Sequence, residues 1–345
     1  MRAVRLVEYD SPPKLVEVDY PKIGAPTDVI VKIAGAGVCR TDVHIVEGGF
    51  RKIFPKATLP YTLGHENVGW VEECGPGAAG FRKGDPVVVY SHVTCGLCEE
   101  CRRGRDMYCP NLREAGIDGT DGGFAEFMRT TARCLVRTRD RGDLYNMAAV
   151  ADAGISSYHA IKRISPSIHP GSIVVVFGMG GLGHFAVQLL KLLTHATVVV
   201  ISESKYRLEL ARRLGADHCV VANPETAPRE VINQSRGLGA QVVLDLVGSD
   251  STAAQSLRML RKGGTYSVVG YGGMLNYPTQ DLISKEISII GNLVGSFNEL
   301  SELVQLCDQG KIGLQTERFP LERAGQVFES LMAGKRFDGR PVLIP

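Results

Sequence analysis

A chain of 345 residues is long enough for two domains, each able to bury its own core. Its formal net charge of +2 gives no ground for binding nucleic acid or a membrane surface. No apolar run approaches the roughly 20 residues of a bilayer span, and the N-terminal residues lack the long apolar core of a signal peptide.

Residues 1–150 read as a β-rich, glycine-punctuated domain. Short strands are expected at Val29–Ala34, Val68–Glu73 and Pro86–Tyr90, with turns at Gly75-Pro76-Gly77 and Lys83-Gly84-Asp85. Within this domain, the stretches Cys39-Arg-Thr-Asp-Val-His44 and Gly64-His65-Glu66 carry candidate metal ligands. A catalytic zinc takes three protein ligands and keeps one position open. Cys39 and His65 supply a thiolate and an imidazole; the third ligand could be Asp152, where the chain passes between domains, or Glu66, adjacent to His65. Singly, Cys39 reads as a small buried hydrophobe and His65 as a satisfied core histidine. Only their combination favours a metal. Asp42 is placed to accept a hydrogen bond from a ligating imidazole.

Nine cysteines occur, and four of them (Cys95, Cys98, Cys101, Cys109) fall within fifteen residues. Gaps of two residues let successive sulfurs converge on one ion, and four thiolates leave no open position. The lobe at about 92–112 is therefore expected to hold a structural zinc rather than an iron–sulfur cluster or two disulfides. Such clustering also suits a reducing compartment, so a cytoplasmic location is expected.

From residue 151 to about 295 strands and helices alternate. Strands are expected at Ile173–Phe177, Thr197–Ile201, Cys219–Val221, Val242–Leu246, Thr265–Val269 and Ser288–Gly291, giving a doubly wound parallel sheet of the Rossmann type. Between the first strand and a helix expected at Phe185–Leu193 lies Gly178-x-Gly180-x-x-Gly183. Here Gly178 permits the turn, Gly180 lets a pyrophosphate approach, and Gly183 lets the helix pack close to the sheet. With Gly181 and Leu182 these residues form the expected dinucleotide site. Residues 296–345 contribute a helix at Glu299–Gln309 and a last segment, Arg340–Pro345, expected to return to the first domain because six strands already complete the sheet.

Taken together, these motifs resemble the zinc-dependent alcohol dehydrogenases of the medium-chain dehydrogenase/reductase family along essentially the whole chain. The resemblance implies a GroES-like catalytic domain beside the Rossmann domain and two zinc ions per subunit. It implies catalytic zinc ligands at Cys39, His65 and Asp152, with Glu66 behind them, and a proton relay through Thr41 and His44. It also implies hydride transfer between an alcohol and a nicotinamide cofactor, with Arg340 on the cofactor side. In such enzymes zinc polarises the alcohol oxygen and lowers its pKa.

For the cofactor, the position that resembling NAD enzymes fill with aspartate is Ser202. Serine does not repel a 2′-phosphate, and Ser204, Lys205 and Arg207 could bind one, so NADP(H) is favoured over NAD(H). Glu203 is the residue that could serve NAD instead. Expected substrates are small alcohols, aldehydes or ketones with an apolar body, and the resemblance implies a homo-oligomer, a tetramer before a dimer. A polyol dehydrogenase of the same fold and a catalytically silent zinc-binding scaffold are the alternatives.

Overall fold

The structure, a computed structural model, describes residues 1–335 and 337–345. The chain divides into two compact units, Met1–Ala153 with Ser296–Pro345, and Gly154–Gly295.

The first unit is built on a mixed sheet. Its central strand, Asp28–Gly37, pairs antiparallel with Glu66–Cys74, with Phe127–Thr131 and with the C-terminal strand Arg340–Ile344. That central strand runs longer than its β-branched residues predict, through Gly35, Ala36 and Gly37. Pairing with Glu66–Cys74 and Arg340–Ile344 continues it. Close approach there leaves the glycines no room for a side chain: a Cβ on Gly35 would lie 2.9 Å from Tyr145 Cβ and from Val342 Cγ1, and one on Gly37 would strike the Glu66 carboxylate. Val29, Val31, Val71, Val87, Val89 and Leu343 fill the core together with Val43, Ile45 and Phe328 from helices. The helix Arg40–Val46 thus offers one face to the core while its first turn stays at the sheet's end.

The second unit is a six-stranded parallel sheet. Its spatial order is His218–Val221, Thr197–Ser202, Ile173–Phe177, Ala240–Asp245, Leu260–Val268, Ser288–Gly291. In sequence terms this is 3-2-1-4-5-6, the doubly wound order whose reversal point opens a crevice for a dinucleotide. Runs such as Ile173-Val-Val-Val-Phe177 read as continuous apolar residues because strands in such a sheet are covered on both faces. The following helix spans Gly181–Leu193 and so begins four residues before the expected Phe185. Packing of its apolar face against the sheet outweighs the poor helix propensity of the glycines.

Among the described residues no helix is long and apolar enough to cross a membrane.

Candidate active site

Helix geometry positions the first cluster. Cys39 is the N-cap of Arg40–Val46, and Asp42 at the third helical position accepts the Cys39 backbone N–H at 2.7 Å. His65 follows Gly64, whose φ of +100° and contact with Phe124 admit no side chain. Asp152 ends the 3-10 segment Leu144–Ala151. These elements bring Cys39, His65, Glu66 and Asp152 together, with ligand atoms within 4.8 Å of one another. Cys39 Sγ lies 3.3 Å from Asp152 Oδ2, and His65 Nε2 lies 3.6 Å from the same oxygen.

Those separations suit zinc. Bond lengths of about 2.3 Å to sulfur and about 2.1 Å to nitrogen or oxygen place tetrahedral ligand atoms about 3.4–3.6 Å apart. A thiolate, an imidazole and a carboxylate are the donor types that the ion takes. His65 presents Nε2 to the cluster because its Nδ1 is 3.2 Å from Asp42 Oδ1, deep in the protein. Glu66 belongs to the same cluster, but both its oxygens are held by the Arg340 guanidinium, Oε2 at 2.8 Å from Nε and Oε1 on Nη2. Arg340 Nη2 is also 3.5 Å from Asp152 Oδ2. The guanidinium that the sequence assigned to the cofactor is therefore seated against two carboxylates of the metal cluster.

Electrostatics follow from this packing. Burial alone would lower the pKa of His65, but Asp42, Asp152 and Cys39 together hold it well above the ordinary value. Burial pushes Glu66 up to about 7 despite the opposing pull of Arg340. Burial also works against the charged form of Asp152, yet His65 and Arg340 keep its pKa well below the usual carboxylate range.

Thr41 and His44 stand three residues apart on the same short helix, both half-buried. The sequence reading missed Arg40, whose Nε is 3.4 Å from His44 Nε2 and whose Nη1 donates to the Leu331 carbonyl. Its signal was the spacing of four residues, which places the two side chains on one helix face. Burial, then the charge of Arg40, lowers the pKa of His44.

The second cluster gathers Cys95, Cys98, Cys101 and Cys109, again with ligand atoms within 4.8 Å. Cys95 Sγ accepts the Cys98 N–H at 3.4 Å, Cys98 Sγ accepts the Cys101 N–H at 3.5 Å, and Cys109 Sγ lies 3.6 Å from Cys95 Sγ. All nine cysteines are unpaired. A zinc tetrathiolate has sulfurs about 3.8 Å apart, close to this spacing, and backbone N–H groups of Leu97 and Cys98 pull the Cys95 thiol down to about 6. Arg133 was not foreseen: its guanidinium lies over the Gly96 turn and pairs with buried Asp106. No spacing in the sequence announces that pair.

The glycine turn of the second unit is resolved residue by residue. Gly178 has a φ of +98°, and a Cβ there would lie 2.7 Å from Val247 Cγ2. On Gly183 a Cβ would strike the Gly178 carbonyl. Above Gly180 the nearest of its neighbours is Arg207 Nη1, 3.8 Å from an added Cβ, which leaves the approach open. No side chain caps the helix that Gly181, Leu182 and Gly183 begin, so its first N–H groups have no side-chain partner at the cap. At the next strand's end Ser202 is buried; its hydroxyl accepts the Ser204 N–H at 3.4 Å, and Ser204 in turn caps Lys205–Arg213. Lys205 and Glu203 are exposed there.

One unit with a doubly wound sheet and an open glycine turn, and another with a Cys/His/carboxylate cluster and a four-cysteine lobe, are together the parts of a zinc-binding dehydrogenase. Residues 25–140 match the alcohol dehydrogenase GroES-like domain and residues 181–309 the zinc-binding dehydrogenase domain. An NAD-dependent alcohol dehydrogenase of Sulfurisphaera tokodaii is 34% identical, with 100% of each chain covered. A D-arabinose 1-dehydrogenase (NADP(+)) of Saccharolobus solfataricus is 34% identical, covering 100% of this chain and 97% of the relative. The crystal structure of an alcohol dehydrogenase from Aeropyrum pernix superposes with a TM-score of 0.96 at 46% identity, with 100% of both chains covered. The chain belongs to the zinc-type alcohol dehydrogenases of the medium-chain dehydrogenase/reductase family.

Proposed function

We propose that the chain interconverts small alcohols with aldehydes or ketones by hydride exchange with a nicotinamide dinucleotide. The observation that carries this reading is the convergence of Cys39, His65 and Asp152, with ligand atoms within 4.8 Å of one another and Asp152 Oδ2 at 3.3 Å from the sulfur and 3.6 Å from the imidazole nitrogen. Zinc held there would supply Lewis-acid polarisation of the substrate oxygen. Asp42 fixes the His65 ring so that Nε2 faces the cluster. Arg340 neutralises Glu66 and leaves Asp152 as the carboxylate of the set. The Thr41 hydroxyl accepts the alcohol proton, and His44, one helical turn on, passes it outward. His44 suits that task because burial and Arg40 keep it neutral at pH 7. The four cysteines of the second cluster would hold a second, structural zinc.

For the dinucleotide we favour NADP(H). Support comes from the absence of a carboxylate at Ser202 and from the Arg207 guanidinium beside the open glycine turn. NAD(H) is the second reading, favoured by the relatives named NAD-dependent and by Glu203 next to Ser202. A homo-oligomer, a tetramer before a dimer, is supported by the outer strand Ser288–Gly291 with exposed Ile289 and by exposed Ile283 in the helix before it. Nine unpaired cysteines support a cytoplasmic setting.

The test is the initial rate of nicotinamide absorbance change with secondary and aromatic alcohols, and with the matching ketones and aldehydes in reverse, under NADP and NAD alike. A higher specificity constant with NADP supports the phosphate pocket; a clear NAD preference overturns it. No turnover with either dinucleotide and any substrate contradicts the reading as a whole.

A further inference from the structure

One buried acid in the second unit has no part in the chemistry described so far. Asp245 ends the strand Ala240–Asp245, immediately beside the reversal point of the sheet, and is fully buried. Its Oδ1 accepts two backbone N–H groups, from Val247 and Gly248, each at 2.9 Å. Its Oδ2 accepts the Tyr266 hydroxyl at 2.8 Å, and Tyr266 is itself buried in the neighbouring strand. The backbone carbonyl of the same residue accepts the N–H groups of Val269 at 2.9 Å and Gly270 at 3.1 Å. One residue thus fastens the turns that leave two adjacent strands, 246–249 and 269–270.

These two turns have no slack between them. A Cβ on Gly248 would run into the Gly270 carbonyl group, and one on Gly270 into the Val247 backbone. Gly273 N–H donates to the Gly248 carbonyl at 2.7 Å, and Leu246 N–H donates to the Phe177 carbonyl at 3.0 Å, one residue before Gly178. The Val247 side chain closes against Gly178 itself. Together the three strand ends form one hydrogen-bonded floor.

In a sheet of this order the halves flanking the reversal point each take one mononucleotide. The glycine turn and Ser202 belong to the adenosine half, so the turns after Asp245 and Val268 face the nicotinamide half. We propose that Asp245, braced by Tyr266, is a positioning residue that sets the floor on which the nicotinamide half of the dinucleotide rests. The inference depends on the dehydrogenase reading above. A carboxylate is needed because a single oxygen must accept two N–H groups at once while the other accepts a hydroxyl. An amide can keep its oxygen on the two backbone N–H groups only by turning its NH2 toward Tyr266. The tyrosine hydroxyl must then reverse from donor to acceptor and give up its charge-assisted bond.

The experiment compares dissociation constants of the full-length enzyme for the reduced dinucleotide, read by nicotinamide fluorescence, and for ADP, read by competition. ADP carries the adenosine and diphosphate but no nicotinamide. For Asp245→Asn the account expects reduced-dinucleotide binding weakened about tenfold and ADP binding unchanged. Tyr266→Phe keeps both backbone bonds and is expected to weaken the whole dinucleotide about threefold, again sparing ADP. Should Asp245→Asn fail to fold, Tyr266→Phe decides alone. Equal losses for both ligands, or no loss for the reduced dinucleotide, overturn the proposal. If the unaltered protein binds neither NADPH nor NADH, the dehydrogenase reading falls first and the inference falls with it.

Discussion

Asp42 ties the two halves of the metal cluster together: one carboxylate oxygen accepts the Cys39 backbone N–H at 2.7 Å, and the other lies 3.2 Å from His65 Nδ1. A single buried side chain thereby sets both the helix start that presents the thiol and the ring orientation of the imidazole. Replacing it with alanine removes both the acceptor of the Cys39 N–H and the buried carboxylate that faces His65 Nδ1. Asp42→Ala is expected to weaken zinc binding at this cluster about 10–100-fold, measured by competition with a chromogenic chelator. An unchanged affinity would remove Asp42 from the account.

His44 provides a pH test. Its pKa lies below the ordinary 6.5, first through burial and then through the charge of Arg40, with Glu47 pulling weakly the other way. A proton relay needs the neutral ring, so alcohol oxidation is expected to persist below pH 6.5 before the acid limb of kcat/KM sets in. Arg40→Gln removes the neighbouring positive charge, which raises the His44 pKa and moves the limb to higher pH. A limb that stays in place would show that another group carries the proton.

Charge at the end of the second sheet strand tests the cofactor assignment. Ser202→Asp puts a carboxylate where a 2′-phosphate would lie, and like charges there cost several kcal/mol. The ratio of kcat/KM for NADP to that for NAD is expected to fall about a hundredfold. No change in the ratio would place the ribose elsewhere.

The four-cysteine lobe is expected to support the fold rather than the reaction. Cys98→Ser removes one sulfur from a closed set, so the melting temperature should drop by roughly 5 °C or more. The kcat of the remaining folded enzyme, measured at low temperature, should stay close to that of the parent. Loss of kcat without loss of thermal stability would contradict a structural role.

Local chemistry made much of this molecule legible in advance. The glycine turn at 178–183 and the cysteine run at 95–109 are contiguous, so their spacing alone carries the geometry. Strand ends were harder to read. The strand Asp28–Gly37 continues through two glycines because residues 35–37 pair with the strands Glu66–Cys74 and Arg340–Ile344. Tyr145, Val342 and Glu66 leave those glycines no room for a side chain, and none of those neighbours is near the strand in sequence. Pairs that span the chain were invisible for the same reason. Arg133 with Asp106, Arg340 with Glu66, and Tyr266 with Asp245 are joined only by the fold. Its place where the chain passes between domains, and then the resemblance, pointed to Asp152, which stands 87 residues beyond His65 and still comes within 3.6 Å of it.

The most direct test of the central claim is a paired measurement on Cys39→Ser: zinc per subunit by atomic emission, and turnover of an alcohol that the parent enzyme oxidises. A fall from two zinc ions to one is expected, because the other four thiols are untouched, with turnover reduced about a thousandfold or more. Full turnover in Cys39→Ser would contradict it.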